Sequence, residues 1–384
     1  MRYSNQNTKQ VARFIPIICA ICFCAFSFVY LYLYQPSLLA QEQYVFSHGQ
    51  TSYNSLFGAL FCTFVLFLVG LIFTHYITYP IRLKAVSWIP SFYLLGILTC
   101  MHFPEIPSDY GDVKYFTIFL VPLLFILLLY ICRSYPDRSS ENGSLVYYLT
   151  PNLIILILSF LLTLYIGNTQ DLLHSELYMS ELQYQGKYEE SLSIGKFQKP
   201  TKTLTYMRVN ALIHNNDLGE HLFNYPISDN SNSLLPPLSD NTFVYNPGKS
   251  VYRVIKAVPQ NKNQNASTLF LETIVKNDTL KKYQSRNDLL LCSYLVDKNL
   301  SKFEALFSER YDSLTSDIPR HYQEAILLKQ YITQNEDVYK DNPLYSDFTS
   351  FIDLMNNDSL SFYTKTKSMN QYRNTYWYYY YSIK

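Results

Sequence analysis

The chain has 384 residues, 48% of them hydrophobic and only 16% charged, which excludes a wholly soluble protein. Its 31 Lys and Arg against 30 Asp and Glu leave a formal charge of +1, so nothing electrostatic favours a nucleic-acid partner. The 37 Tyr and 25 Phe exclude a disordered chain.

The hydrophobicity is uneven. Long apolar runs stop at Ile166, and residues 167–384 are rich in Asn, Ser, Tyr and charge. A helix needs about 20 residues to cross roughly 30 Å of hydrocarbon. Five stretches suit that length: 14–34, 56–79, 85–101, 115–132 and 145–166. The third is the shortest and contains Pro90, so a re-entrant or interfacial piece is the alternative there. For the first, the alternative is a secretory signal peptide, because Arg2, Lys9 and Arg13 form a basic flank ahead of it. None of the five contains Asp, Glu, Lys or Arg, which favours an anchor or a partner-binding bundle over a pore or pump.

Basic residues in short flanks favour the cytoplasm. Arg2, Lys9, Arg13, Arg82, Lys84, Arg133 and Arg138 flank alternate ends of the spans, while the opposite flanks carry Lys114 alone. Five crossings with an inside amino terminus place residues 167–384 outside the membrane, in the periplasm if the cell has two membranes. Six of the seven Cys fall within the spans and only Cys292 lies beyond them, so no disulfide can form within the outer domain, and Cys292 is expected to be a buried core residue.

From Asp171 the apolar spacing becomes helical, with Leu173, Leu177, Tyr178, Leu182 and Tyr184 on one face. The segment Tyr184-Gln185-Gly186-Lys187-Tyr188-Glu189-Glu190-Ser191-Leu192 then resembles the inter-helix corner of a tetratricopeptide repeat, where a small residue allows the tight turn and an aromatic one fills the gap. A second pair spans 201–223, broken at Asn215-Asn216-Asp217, with Leu204, Met207, Ala211 and Leu212 inward. Further helices are expected over 266–275, 288–296, 301–311, 319–332 and 346–355, with Asp317 capping the fourth and Pro319 in its first turn. Residues 225–248, holding Pro226, Pro236, Pro237 and Pro247, read as an irregular loop. The expected fold is all-α: a transmembrane bundle over 1–166 and an α-solenoid resembling tetratricopeptide repeats over 167–384. An irregular helical domain is the alternative for the second part.

Two features stand out as candidate interaction residues. Arg320, His321 and Tyr322 belong to the densest polar run on an otherwise apolar helix, where Arg320 and Glu324 are spaced to pair. The tail around Tyr376 and Trp377 is too aromatic to stand in water, so it closes the end of the helical stack or meets a membrane or partner. Gly248-Lys249-Ser250 lacks the earlier glycine and strand of a phosphate loop, and no zinc-hydrolase, esterase, thiol-redox or dinucleotide motif occurs. His174, His214, His221 and His321 are scattered singly. No catalytic residue, metal ligand or cofactor is assigned.

Three segments carry a resemblance: Asn216-Asp217-Leu218-Gly219-Glu220-His221-Leu222-Phe223-Asn224-Tyr225-Pro226, Ile318-Pro319-Arg320-His321-Tyr322-Gln323-Glu324-Ala325, and Asn374-Thr375-Tyr376-Trp377-Tyr378-Tyr379-Tyr380. On these the chain resembles a family of uncharacterised Bacteroidota membrane proteins with several amino-terminal spans and a tetratricopeptide-like outer region. The resemblance implies an inner-membrane protein with a periplasmic helical domain, and it implies no activity. The expected function is a non-enzymatic scaffold, anchored in the lipid bilayer, that binds an envelope protein or peptide. The alternative is an accessory or degenerate part of envelope glycan synthesis, whose acidic residues would be Glu42, Asp109 and Asp112 in the outer loops.

Overall fold

The computed structural model describes residues 2–76, 80–100, 115–134, 145–236, 245, 247–258, 267–277, 283–311, 318–334, 343–357 and 361–382. Asp109, Asp112 and Asp317 lie outside them. Every regular element among the described residues is helical. The chain divides by its contacts into Met1–Leu177 and Tyr178–Lys384.

In the first unit, α1 (Arg2–Val29) runs into a π-helical turn, Tyr30–Tyr34, closed by a bond from Gln35 N to Tyr30 O. A short α2 (Pro36–Phe46) follows, then α3 (Ser55–Tyr76). A 3-10 stretch, Ile81–Trp88, passes into α4 (Ile89–Leu98), and α5 (Tyr115–Ser134) and α6 (Leu145–Ile166) complete the unit. Among the described residues four stretches are long and apolar enough to cross a membrane: Phe14–Tyr34, Ser55–Tyr76, Ile81–Leu98 and Val146–Ile166. The expected segment 115–132 is helical within the 20-residue α5, and Phe119–Tyr130 is its apolar stretch among the described side chains. The third span starts at Ile81, four residues before its expected start. Arg82, expected in a loop, therefore lies on the 3-10 stretch, with its guanidinium 3.6 Å from the centre of the Tyr147 ring.

That stretch leaves backbone groups that a continuous helix would pair, and hydrocarbon offers no water for them. Asn152 of α6 supplies the partners. Its Oδ1 accepts from Ala85 N at 2.7 Å, and its Nδ2 donates to Ile81 O at 3.0 Å. Thr163 adds a bond to Phe92 O, and Ser91 one to Leu66 O. Between the helices Phe23 packs on Trp88 and Phe92, and Phe26 stacks on Phe160 with ring centres 4.4 Å apart. The outward faces carry exposed Phe57, Phe61, Phe64, Ile154, Ile157 and Leu161. So much exposed apolar surface suits lipid and not water.

α7 (Asp171–Tyr184) crosses the division between the units. Gly186 follows it at φ +76°, a conformation side chains resist, and α8 (Tyr188–Leu192) begins two residues on, as the corner motif predicts. α9 (Lys202–Asn215) starts on Thr201, whose side chain accepts from Leu204 N, and ends on Asn216 at φ +59°. α10 (Leu218–His221) follows. Within the expected loop 225–248, Ser231–Ser233 forms a 3-10 turn and α11 (Pro247–Val254) starts at Pro247, a helix the prolines obscured. α12 (Ser267–Lys276), α13 (Gln284–Val296), α14 (Leu300–Arg310), α15 (Arg320–Ile332) and α16 (Tyr345–Asn356) fall on the expected stretches. Pro319 is the N-cap of α15 and not part of its first turn. An unexpected α17 (Phe362–Met369) precedes the closing α18 (Tyr376–Ser382).

In a regular repeat stack each unit meets its neighbours. Here α10 meets α13 and α15 as well as α9, and α18 packs on α15. The described helices are also of unequal length, so the regularity expected of a solenoid is confined to the α7–α8 corner. Gly219 permits the long-range contact, since a Cβ there would lie 2.7 Å from Tyr322 Cζ and 2.9 Å from Pro319 Cβ. Around that contact Leu222, Phe223, Cys292, Leu295, Phe303 and Leu327 share one apolar core.

The core includes one polar knot. Asp288 Oδ1 accepts from Tyr311 OH at 2.6 Å and Tyr322 OH at 3.1 Å, and the Cys292 thiol lies 3.7 Å from that second hydroxyl. Burial raises the Asp288 carboxyl above its ordinary value, and the hydrogen bonds from Tyr311, Tyr322 and Gln284 draw it partly back.

Two outcomes follow. Gly219→Ala forces the buried Tyr322 ring to move and should cost about 1–3 kcal/mol, read as a lower unfolding temperature of the full chain in detergent. Because folding raises the Asp288 pKa, its contribution is present at acid pH and lost as pH rises through the folded value. Asp288→Asn should therefore gain stability relative to the natural chain as pH increases from acid to neutral, and a constant difference across that window would refute the assignment.

Candidate functional site

The structure turns most of the candidate interaction residues inward. His321, Tyr322 and Tyr376 have no exposed surface and Trp377 has 1%, while Arg320 is half exposed. All but Tyr322 meet at Glu324, itself fully buried on α15. Its Oε1 accepts from Arg320 Nε at 2.9 Å, and its Oε2 from His321 Nδ1 at 2.9 Å and from Tyr376 N at 2.7 Å. The backbone oxygen of Glu324 accepts from Trp377 Nε1 at 2.8 Å. His321 Nε2 faces Phe223 N at 3.3 Å and so must accept, which leaves the ring hydrogen on Nδ1, directed at Glu324. Tyr376 and Tyr379 send their hydroxyls to Leu295 O and Val296 O. The aromatic tail is thus a closing helix, fastened by a buried carboxylate.

Fastening the tail creates a concavity. A cavity of about 470 Å³ opens between residues 196–200, 223–227 and 373–379. One wall is the tail, with Arg373, Tyr378 and Tyr379; another is Phe223, which packs edge-on against His321 and Tyr376. The third is the turn Lys196-Phe197-Gln198-Lys199-Pro200, where Phe197 is 95% exposed. Lys196, Lys199 and Arg373 are all exposed cations, and among the described residues no Asp or Glu lines the cavity.

Arg208 of α9 spaces two of these walls. It is 1% exposed, and its two terminal nitrogens donate to Gly195 O at 2.7 Å and Pro226 O at 3.1 Å. A planar guanidinium reaches two carbonyls at once, which an ammonium on a flexible stem does less well. Its Cζ also lies 5.4 Å from the centre of the Tyr225 ring in the cavity wall. Burial raises the Tyr225 hydroxyl above its ordinary value, and the nearby guanidinium pulls it back.

The residues expected to bind lie behind the cavity; of those that line it, Phe223 to Pro226, Asn374, Tyr378 and Tyr379 fall in the segments that carry the resemblance, and the Lys196 to Pro200 turn does not. Two signals were available: a phenylalanine set among Lys, Gln and Pro after the corner, and Arg208 one residue from inward Met207 and four from Leu204. Elsewhere, Gly248-Lys249-Ser250 is the start of α11, where the Ser250 hydroxyl lies 3.1 Å from His214 Nε2. Among the described residues no three His, Cys, Asp or Glu side chains converge as metal ligands do.

Fold and site together define a helical membrane protein with a cation-rich, aromatic cavity in the part of the chain that follows its spans. The chain belongs to a family of unknown function, DUF6057, whose model matches residues 50–254 and 261–383. No curated protein and no solved structure matches it. The matched residues take in the first unit from residue 50 onward, most of the second unit and the three segments on which the resemblance rested.

Glu324→Gln presents an amide hydrogen to at least one of the donors that now share the carboxylate, and should cost about 2–4 kcal/mol. The readouts are thermal unfolding in detergent and protease cutting before Tyr376. Arg320→Ala, which removes the half-exposed donor to Oε1 and leaves both donors to Oε2, should cost less, about 1–2 kcal/mol. Equal effects of the two substitutions would mean that Glu324 is not the fastening point.

Proposed function

We infer that this is a membrane-anchored, non-enzymatic binding protein whose helical domain holds an acidic segment of an envelope protein in the cavity between residues 196–200, 223–227 and 373–379. The observation that carries the reading is the lining: three exposed cations, no carboxylate among the described residues, and aromatic and proline surfaces around them. Aromatic and Arg side chains are the usual anchors of protein interfaces, and a one-signed rim selects a ligand of opposite charge. The helices behind it, from the α7–α8 corner onward, act as its scaffold. The bias of Lys and Arg toward alternate flanks supports an inside amino terminus. With Tyr115–Ser134 as a fifth crossing, the helical domain faces the periplasm across the inner membrane. The competing glycan-synthesis reading has one foothold among the described residues, Glu42, which is buried.

The test uses the full chain in nanodiscs and fluorescent peptides rich in Asp and Glu, against matched peptides with Lys in their place. The acidic peptides should bind at least about tenfold more tightly, a difference of ~1.4 kcal/mol, and lose affinity as salt rises. Joint substitution of Lys196, Lys199 and Arg373 by Ala should abolish the difference. Equal binding of both peptide sets would remove the reading, and specific retention of a lipid-linked sugar in its place would favour the glycan role.

A further inference from the structure

α2 lies between the first two spans with Leu38, Leu39, Ala40, Gln41 and Glu42 buried. Leucine and alanine need no partner there, but a carboxylate does. Glu42 keeps 6% of its surface exposed, and its Oε1 has no hydrogen-bond partner. Among the described residues no Lys, Arg or His forms an ion pair with it.

α2 packs against α3 and against the π-helical turn Tyr30–Tyr34. On the α3 side the ionisable groups near the carboxyl are the Cys62 thiol and the Tyr53 hydroxyl. The Tyr53 hydroxyl is itself buried without a hydrogen-bond partner. The π turn brings Tyr30, held by Gln35 and Thr99, and Tyr34, held by Thr169 and Asp171, with Tyr32 between them. On α2 itself the other ionisable group is Tyr44, and His48 follows in the turn after it. The tyrosine hydroxyls and the thiol would repel a carboxylate if they ionised, and binding a proton removes most of the burial penalty.

We propose that Glu42 is a proton-binding site, carried as the neutral acid in the segment joining the first two spans, and that it is therefore a reactive carboxyl toward a hydrophobic carbodiimide. Burial pushes this carboxyl up to about 8, so the acid form prevails at neutral pH. The reaction needs that form. The acid proton passes to one carbodiimide nitrogen while a carboxyl oxygen bonds to the central carbon, giving an O-acylisourea. Its acyl group then shifts to nitrogen, and the N-acylurea keeps every atom of both reactants. Deprotonation instead strands a charge beside Cys62 and Tyr53, which couples the seating of α2 on α3 to pH.

The experiment treats the full chain in nanodiscs with dicyclohexylcarbodiimide and maps adducts by peptide mass spectrometry. An adduct of one reagent mass should appear on Glu42 and fall about tenfold between roughly pH 7 and pH 9. A water-soluble carbodiimide with an added amine should label exposed Glu189 and Glu190 and spare Glu42. Absence of the hydrophobic adduct at neutral pH, an adduct equal at both pH values, or labelling of Glu42 by the water-soluble reagent would each overturn the proposal.

Discussion

A carboxylate with no exposed surface is tolerable only where donors surround it, and Glu324 has three of them on its two oxygens. One donor is the backbone N–H that opens the last helix, so the carboxylate has all three donors only when the tail is in place. Packing alone would let seven residues dominated by Tyr settle in several ways; directional bonds to one buried anion select a single seating. The cavity depends on this seating, because Arg373, Tyr378 and Tyr379 form its wall only when the tail is fastened.

Glu42 is the opposite case. Both carboxyls are buried, but Glu324 has been given donors and Glu42 lies among apolar side chains and weak acids. The two sites illustrate the choice open to a carboxyl removed from water: keep its charge and recruit donors, or give up the charge by binding a proton. The first outcome rigidifies its surroundings; the second leaves a group that responds to pH.

The same requirement shapes the membrane part. Where the third span leaves regular geometry, at Ile81–Trp88, its backbone is satisfied by Asn152 from a neighbouring helix. Ser91 and Thr163 likewise turn inward onto backbone carbonyls, while the outward faces of α3 and α6 remain apolar. In the helical part Arg208 plays a related role, holding two loop carbonyls with one buried guanidinium.

The sequence by itself determined the apolar spans and most helices, because both are written in local patterns: run length for the former, three-and-four spacing and punctuation by Gly186 and Asn216 for the latter. It did not reveal α2, α11 or α17, which are short and lack a long periodic signal or begin at a proline. The polar run at Arg320-His321-Tyr322 and the tail at Tyr376-Trp377 were legible as unusual, yet whether they faced a partner or the core was not. Only the tertiary structure decided that, by bringing residues 52 positions apart onto Glu324 and residues 98 apart together at His321 and Phe223. A residue's type states what it needs when buried, but whether distant segments meet that need depends on how the chain folds back on itself.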